Sequence, residues 1–193
     1  MMELKDVRIG CAMTGSFCTF RRVFQAWRAL AEAGATLTPI MSQAAYELDT
    51  RFYAAAEARR IFREICGREI CHTLVDAEPI GPKKLLDLLI IAPCTGNTLA
   101  KLAAGIADTP VTLAAKSHLR NGRPVLLAPS TNDGLGRNAE NLGKLQAMRD
   151  FYFVPYGQDA PEGKPASLVS YFDRLPEAAR GALAGRQIQP LLI

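Results

Sequence analysis

The sequence predicts an α/β fold: a doubly wound parallel sheet with helices on both faces. Three observations carry this. Short continuous apolar runs, residues 88–92 (LLIIA) and 124–128 (PVLLA), suit strands covered on both sides. Each leads into a turn of small hydroxyl and amide residues, then into apolar residues at helical spacing. This alternation continues along the chain without an internal repeat or a low-complexity stretch. With 193 residues, the chain suits one domain over residues 1–193, three-layered and of the Rossmann-like or flavodoxin-like kind.

Residues 7–13 (VRIGCAM) read as the first strand and residues 14–19 as a loop. Phe20, Val23, Phe24, Trp27, Leu30 and Ala31 then mark a helix that stops at Gly34. Gly10 and Gly15 are too far apart for the dinucleotide fingerprint, and no Gly-Lys-Ser/Thr occurs for a Walker loop. Residues 35–41 form a second strand, with Pro39 expected near a strand end. Ser42 and Gln43 stand where a dinucleotide-binding fold carries an acid to grip a ribose; a hydroxyl there suits a phosphate oxygen better.

Residues 46–67 read as one helix, with Arg59, Arg60 and Arg63 on its solvated face, and residues 73–84 as a loop or short turn. The strand at 88–92 breaks at Pro93. A polar loop, residues 94–98, leads into a helix carrying Leu99, Leu102, Ala103 and Ile106, capped by Thr95 or Asn97. A helix at 110–121, the strand at 124–128, a polar loop at 129–134 and a helix at 138–150 follow. The chain ends with a strand at 151–155, a Gly/Pro-rich loop at 157–165 and a helix at 167–183.

The net charge of +4 is modest and the basic residues are scattered, so no nucleic-acid stripe is present, while a small anion is a compatible ligand. Five cysteines without framework spacing point to free thiols in a reducing compartment. The opening segment, MMELKDVRIG, has no apolar leader core, and no run approaches membrane-spanning length; the expected location is cytoplasmic, without membrane contact. Cys66, Cys71 and His72 match no zinc spacing, and His118 is the only other histidine, so no metal is expected.

Four strand ends deliver similar chemistry: Gly15, Ser16 and Thr19; Ser42; Cys94, Thr95, Asn97 and Thr98; Ser130, Thr131 and Asn132. In an open parallel sheet, ligands bind beyond the carboxyl ends of the strands at the switch in strand order. Hydroxyls and amides without metal-binding carboxylates suit a flat neutral ring plus one phosphate, the outline of flavin mononucleotide. An undefined small-molecule pocket is the alternative. Each hydroxyl also makes helix caps and turn bonds routinely. Cys94 reads either as a nucleophile activated by the helix N-terminus or as a small residue filling a tight turn.

The run PCTGNTLAK at 93–101, followed by GIAD at 105–108, resembles the P-x-S-A-N-T…G-x-A-D signature of the flavoprotein superfamily. That superfamily includes flavin-containing cysteine decarboxylases and flavin prenyltransferases. APSTN at 128–132 matches its second signature, P-A-M-N, in part. TGSFCTF, DAEPIGP, the long stretch from APCTGNT to NDGLG, and NLGKL together resemble the family of dipicolinate synthase B subunits over nearly the whole chain.

The resemblance implies FMN as cofactor, with Gly15, Ser16, Phe17 and Thr19 beside its phosphate, joined by Ser42. Cys94, Thr95, Asn97 and Thr98 lie along the flavin or substrate edge, with Ser130, Thr131 and Asn132 opposite. It also implies a sporulation oxidoreductase that forms dipicolinate from a tetrahydrodipicolinate intermediate of the lysine pathway, a small dicarboxylate. The partner is the A subunit of dipicolinate synthase, carrying NAD(P), and the chain itself is a homo-oligomer. Lys116, Arg120 and Arg123 are candidates for meeting the substrate carboxylates, or are solvated surface charges.

Two departures stand out. The histidine that precedes the first motif in the decarboxylases is missing from the Pro79–Gly81 vicinity, and Ser130 and Thr131 replace the Arg-Glu pair of the prenyltransferases. Two rival readings follow the resemblance. One is a non-catalytic partner whose apolar tail, residues 190–193, forms an interface. The other is an FMN-dependent decarboxylase or transferase acting on another small acid.

Overall fold

Five parallel strands frame the molecule: β1 (Arg8–Met13), β2 (Thr36–Met41), β3 (Leu88–Cys94), β4 (Val125–Thr131) and β5 (Phe151–Phe153). Their spatial order is β2-β1-β3-β4-β5. The computed structural model describes residues 3–193; Met1 and Met2, which open the segment read for a leader, lie outside the described residues. Side chains alternate between two apolar layers, as the pleat requires. Leu88, Ile90, Ala92, Leu126 and Ala128 face one layer, and Leu89, Ile91, Val125 and Leu127 the other. The strands are apolar throughout because both faces are covered.

On the first face lie α1 (Phe20–Glu32), α3 (Ala55–Cys66) and α8 (Leu175–Leu183), with Trp27 stacked on Phe62 at 6.4 Å between ring centroids. On the other lie α4 (Leu74–Ala77), α5 (Gly96–Ala104), α6 (Pro110–Leu119) and α7 (Ala139–Gln146). Among the described residues, no helix is long and apolar enough to cross a membrane.

An antiparallel pair, β6 (Tyr156–Gln158) and β7 (Leu168–Ser170), extends the sheet to seven strands. β5 pairs with the first half of β4, and β7 pairs with Ser130 and Thr131 at its end. This corrects two expectations. Residues 129–131 continue β4, with Ser130 and Thr131 paired to β7, and residues 168–170 are strand rather than part of the last helix. That helix begins later, with Pro176 in its first turn, where a missing N–H costs nothing. Likewise β3 runs through Pro93 to Cys94, with a register shift after Ile91.

The helix expected over 46–67 is two, α2 (Gln43–Glu47) and α3, because polar side chains capture the backbone between them. The Asp49 carboxylate accepts from Ala55 N–H at 2.8 Å, and Thr50 Oγ1 from the N–H groups of Phe52 and Tyr53. Arg59 lies over the Tyr46 ring and bonds the Tyr46 carbonyl instead of being solvated. Within 73–84, a Thr73/Asp76 capping box starts α4. Pro39 sits in the middle of β2, tolerated because β2 is an edge strand; its carbonyl accepts from Cys71 N–H at 2.9 Å.

At the opposite, amino end of the strands, Asp87 is clamped by Arg8 at 2.5 Å and Arg123 at 3.2 Å. The hydrogen bond from Arg8 holds the Asp87 carboxyl below the ordinary carboxylate range. A depressed carboxylate adds stability that is complete above its unfolded value and lost as pH falls through the folded one. Asp87→Asn is therefore expected to flatten the fall in Tm between about pH 5 and pH 3, a small effect for a pair this exposed, readable by thermal melts at the two ends.

Candidate functional site

The strand order reverses between β1 and β3, since β1 is followed outward by β2 while β3 leads on to β4 and β5. A cleft of about 820 Å³ opens at this switch, beyond the carboxyl ends of β1, β3 and β4. Its floor is tied together by short polar contacts between loops distant in sequence. The Thr14 hydroxyl donates to the Pro93 carbonyl at 2.7 Å and accepts from Thr95 N–H at 3.0 Å. Ser16 and Ser130 share a hydrogen bond at 2.8 Å across the width of the floor. Thr19 Oγ1 donates to the Ser16 carbonyl at 2.7 Å and fixes the first turn.

Thr95 caps α5, its hydroxyl accepting from Thr98 N–H at 3.4 Å. This turns the N-terminus of a nine-residue helix, with its outward N–H groups, towards the cleft where Asn97 is exposed. Beside it, Asp133 is held at both carboxylate oxygens. Thr131 Oγ1 donates to one, and Asn138 Nδ2 to the other at 2.8 Å. The side-chain oxygen of Asn138, Oδ1, accepts in turn from Asn141 Nδ2 at 3.0 Å. Gly96 lies against this cluster: a Cβ there would stand 2.5 Å from Asn138 Nδ2, 2.6 Å from Thr131 Oγ1 and 2.8 Å from Asp133 Oδ1. The opposite wall is the β6–β7 hairpin, with Asp159 and Lys164 to Val169 facing the opening.

Nine of the twelve residues singled out in the sequence line this one cleft: Gly15, Ser16, Phe17 and Thr19; Thr95 and Asn97; Ser130, Thr131 and Asn132. Three stand apart. Ser42 caps α2, accepting from Ala45 N–H at 3.3 Å. Thr98 turns inward and meets the Thr95 hydroxyl at 3.1 Å. Cys94 is fully buried in the second apolar layer, and burial pushes its thiol above the ordinary range, so it is a neutral core residue and not a nucleophile.

The sequence placed Thr14 and Asp133 in polar loops and Asn138 at the start of a helix, but singled out none of them, nor the hairpin residues, for the site. The reach of Asn138 back to Asp133 depends on the turn between them. Lys116, Arg120 and Arg123, read either as candidates for the substrate carboxylates or as solvated charges, do not line the cleft. Arg123 precedes β4 and bonds the Leu86 carbonyl and Asp87, at the amino end of the sheet.

Neither histidine lines the cleft. His72 stacks on Tyr46 at 3.9 Å, and His118 is buried in α6, where desolvation lowers it to about 4. The rim therefore offers hydroxyls, amides, helix N–H groups and the exposed Phe52 ring, a donor set that fits a flat heterocycle with one phosphate.

Fold and site together define a flavodoxin-like α/β protein with a polar small-molecule cleft at the switch in its sheet. A family model described as Flavoprotein matches residues 2–173. The chain is 43% identical to the B subunit of dipicolinate synthase from Bacillus subtilis (strain 168), over all of this chain and 96% of that one. The crystal structure of the B subunit of dipicolinate synthase from Bacillus halodurans C superposes with a TM-score of 0.91 at 42% identity, covering 100% of this chain and 98% of that one. A dodecameric FMN-dependent UbiX-like decarboxylase from Escherichia coli O157:H7 gives a TM-score of 0.64 at 27% identity, over 77% and 80% of the two chains. The chain belongs to the Flavoprotein family and, within it, to the group of dipicolinate synthase B subunits.

Proposed function

We propose that the cleft binds FMN and that the chain serves as the B subunit of a dipicolinate synthase. It would work in the cytoplasm of sporulating cells beside an NAD(P)-carrying A subunit, as a homo-oligomer like its dodecameric relative. The observation that carries this reading is the gathering of eight hydroxyl, amide and glycine positions, with Phe17 among them, from three distant loops along one cleft.

When bound, the flavin supplies a ring that accepts and returns hydride. The chain's own residues do the rest. Ser16 and Ser130, whose hydroxyls meet at 2.8 Å, would offer those hydroxyls to the ligand, and the α5 N-terminus would face its negative charge. The Asn97 amide donates and accepts at once along a ring edge. Asp133, locked by Thr131 and Asn138, is a fixed acceptor at the cleft wall. The reaction class is dehydrogenation of a tetrahydrodipicolinate to dipicolinate, a loss of two hydrides and two protons for which oxidised NAD(P) on the A subunit would be the final electron acceptor, two equivalents per product. No histidine lines the cleft at the place the decarboxylase resemblance would need one.

Purified protein mixed with FMN is expected to retain a flavin absorbance through gel filtration and to melt later. The gain is about 2.7 kcal/mol at a hundredfold excess over Kd. Ser16→Ala with Ser130→Ala is expected to abolish the retained colour at micromolar flavin while Tm without ligand changes little. No retained chromophore and no Tm shift in the wild type would end the flavin reading. Should deletion of residues 190–193 stop dipicolinate formation while the double serine variant does not, the non-catalytic partner role takes its place.

A further inference from the structure

We infer that the β6–β7 hairpin carries a carboxylate subsite of its own, with Lys164 as the group that binds the acid. The cleft has two walls of different chemistry. The strand-end wall presents hydroxyls, amides and the constrained Asp133, and no cation. On the hairpin wall stands Lys164, the only lysine or arginine among the described residues that line the cleft. With Asp133 and Asp159 as the acids of the lining, Lys164 is the side-chain cation available to a carboxylate, set apart from the α5 N-terminus on the facing wall.

The two acids differ in how they are held. Both oxygens of Asp133 are engaged by Thr131 and Asn138. Asp159 has one contact with Lys164, at 3.3 Å, between side chains 44% and 58% exposed. A pair that open contributes little, so the ammonium transfers to a ligand carboxylate at small cost. The backbone beneath it is preformed. Lys164 N–H donates to the Ala160 carbonyl at 2.8 Å, Ser167 N–H to the Lys164 carbonyl at 2.9 Å, and the Ser167 hydroxyl to the Thr131 carbonyl at 3.4 Å. A flexible point charge on a tethered turn suits a mobile small acid. The volume, near the upper end for ligand cavities, has room for this acid beside a ring held on the opposite wall.

The identity of the acid as a pyridine dicarboxylate or its reduced precursor rests on the function proposed above; the subsite itself rests on the cleft. The test titrates dipicolinate, FMN and riboflavin separately into the full chain, and dipicolinate also into the flavin-loaded protein and the complex with the A subunit. Lys164→Met is expected to weaken dipicolinate binding about tenfold or more, as for a lost charge-assisted contact, and to leave FMN binding and Tm unchanged. Lys164→Arg restores part of the affinity. Asp159→Asn tightens dipicolinate binding, and the salt dependence of that binding shrinks in Lys164→Met.

In turnover with the A subunit, KM rises in Lys164→Met while kcat is largely kept. Equal dipicolinate binding by wild type and Lys164→Met overturns the proposal, as does absence of dipicolinate binding in every form of the wild type. Weakening of FMN but not of riboflavin or dipicolinate reassigns Lys164 to the flavin phosphate and also overturns it. If FMN fails to bind while dipicolinate binding still depends on Lys164, the flavin reading falls and the carboxylate subsite stands.

Discussion

Thr14→Val is expected to destabilise the protein by about 2–4 kcal/mol and to weaken ligand binding in the cleft together with it. Thr14 is buried, with 1% of its surface exposed, and its hydroxyl serves two backbone groups on another strand, the Pro93 carbonyl and Thr95 N–H. Valine keeps the shape and removes both partners. Two shielded polar groups are then left unpaired, each costing about 1–3 kcal/mol unless water enters. The consequence reaches the site because Thr95 caps α5 and Asn97 follows it. Urea denaturation reads the stability, and flavin titration the binding. Thr14→Ser is the control: it keeps the oxygen and loses one buried methyl, worth about 0.8 kcal/mol. If the serine variant falls as far as the valine variant, packing and not the polar bridge is what Thr14 supplies.

Gly96→Ala is expected to remove ligand binding while costing about 1–3 kcal/mol of stability. The added carbon has no free space, because it would stand within 3.0 Å of polar atoms from three short side chains already bonded to one another. Either α5 moves outward and takes Asn97 with it, or the Asp133 carboxylate leaves its two donors. Alanine is the residue in the family signature that this chain resembles; glycine here makes room for the Thr131–Asp133–Asn138 cluster. The conflict is thus with particular partners, and a cycle measures it. In an Asp133→Ala, Asn138→Ala background, Gly96→Ala is expected to cost markedly less. Equal cost in both backgrounds would show that the helix start itself rejects the side chain.

The strands and the helices flanking them were legible because each obeys one period over enough residues. The continuous apolar residues 88–92 and the helical spacing of Phe20, Val23, Phe24 and Trp27 admit few other readings. The short antiparallel hairpin was not legible. Residues 168–170 carry three residues of no distinct period, and they become strand only because the end of β4 offers unpaired backbone groups beside them. The break between α2 and α3 was hidden for a similar reason: Asp49 and Thr50 compete with the helix through local bonds that alanine-rich flanks conceal.

Residue chemistry alone determined that four strand ends carry hydroxyls or amides, and strand–helix alternation sends strand ends to one edge of the sheet. Only the tertiary structure decided which of those groups face the cleft. Ser42 and Thr98 are taken by helix caps, and Cys94 by the core. Ser16 meets Ser130, 114 positions along the chain. Lys116, Arg120 and Arg123 do not line the cleft, while Lys164, on a turn, does. Side-chain type is a local property, but the direction in which a short side chain points is settled by which backbone group lies nearest, and that neighbour comes from elsewhere in the chain.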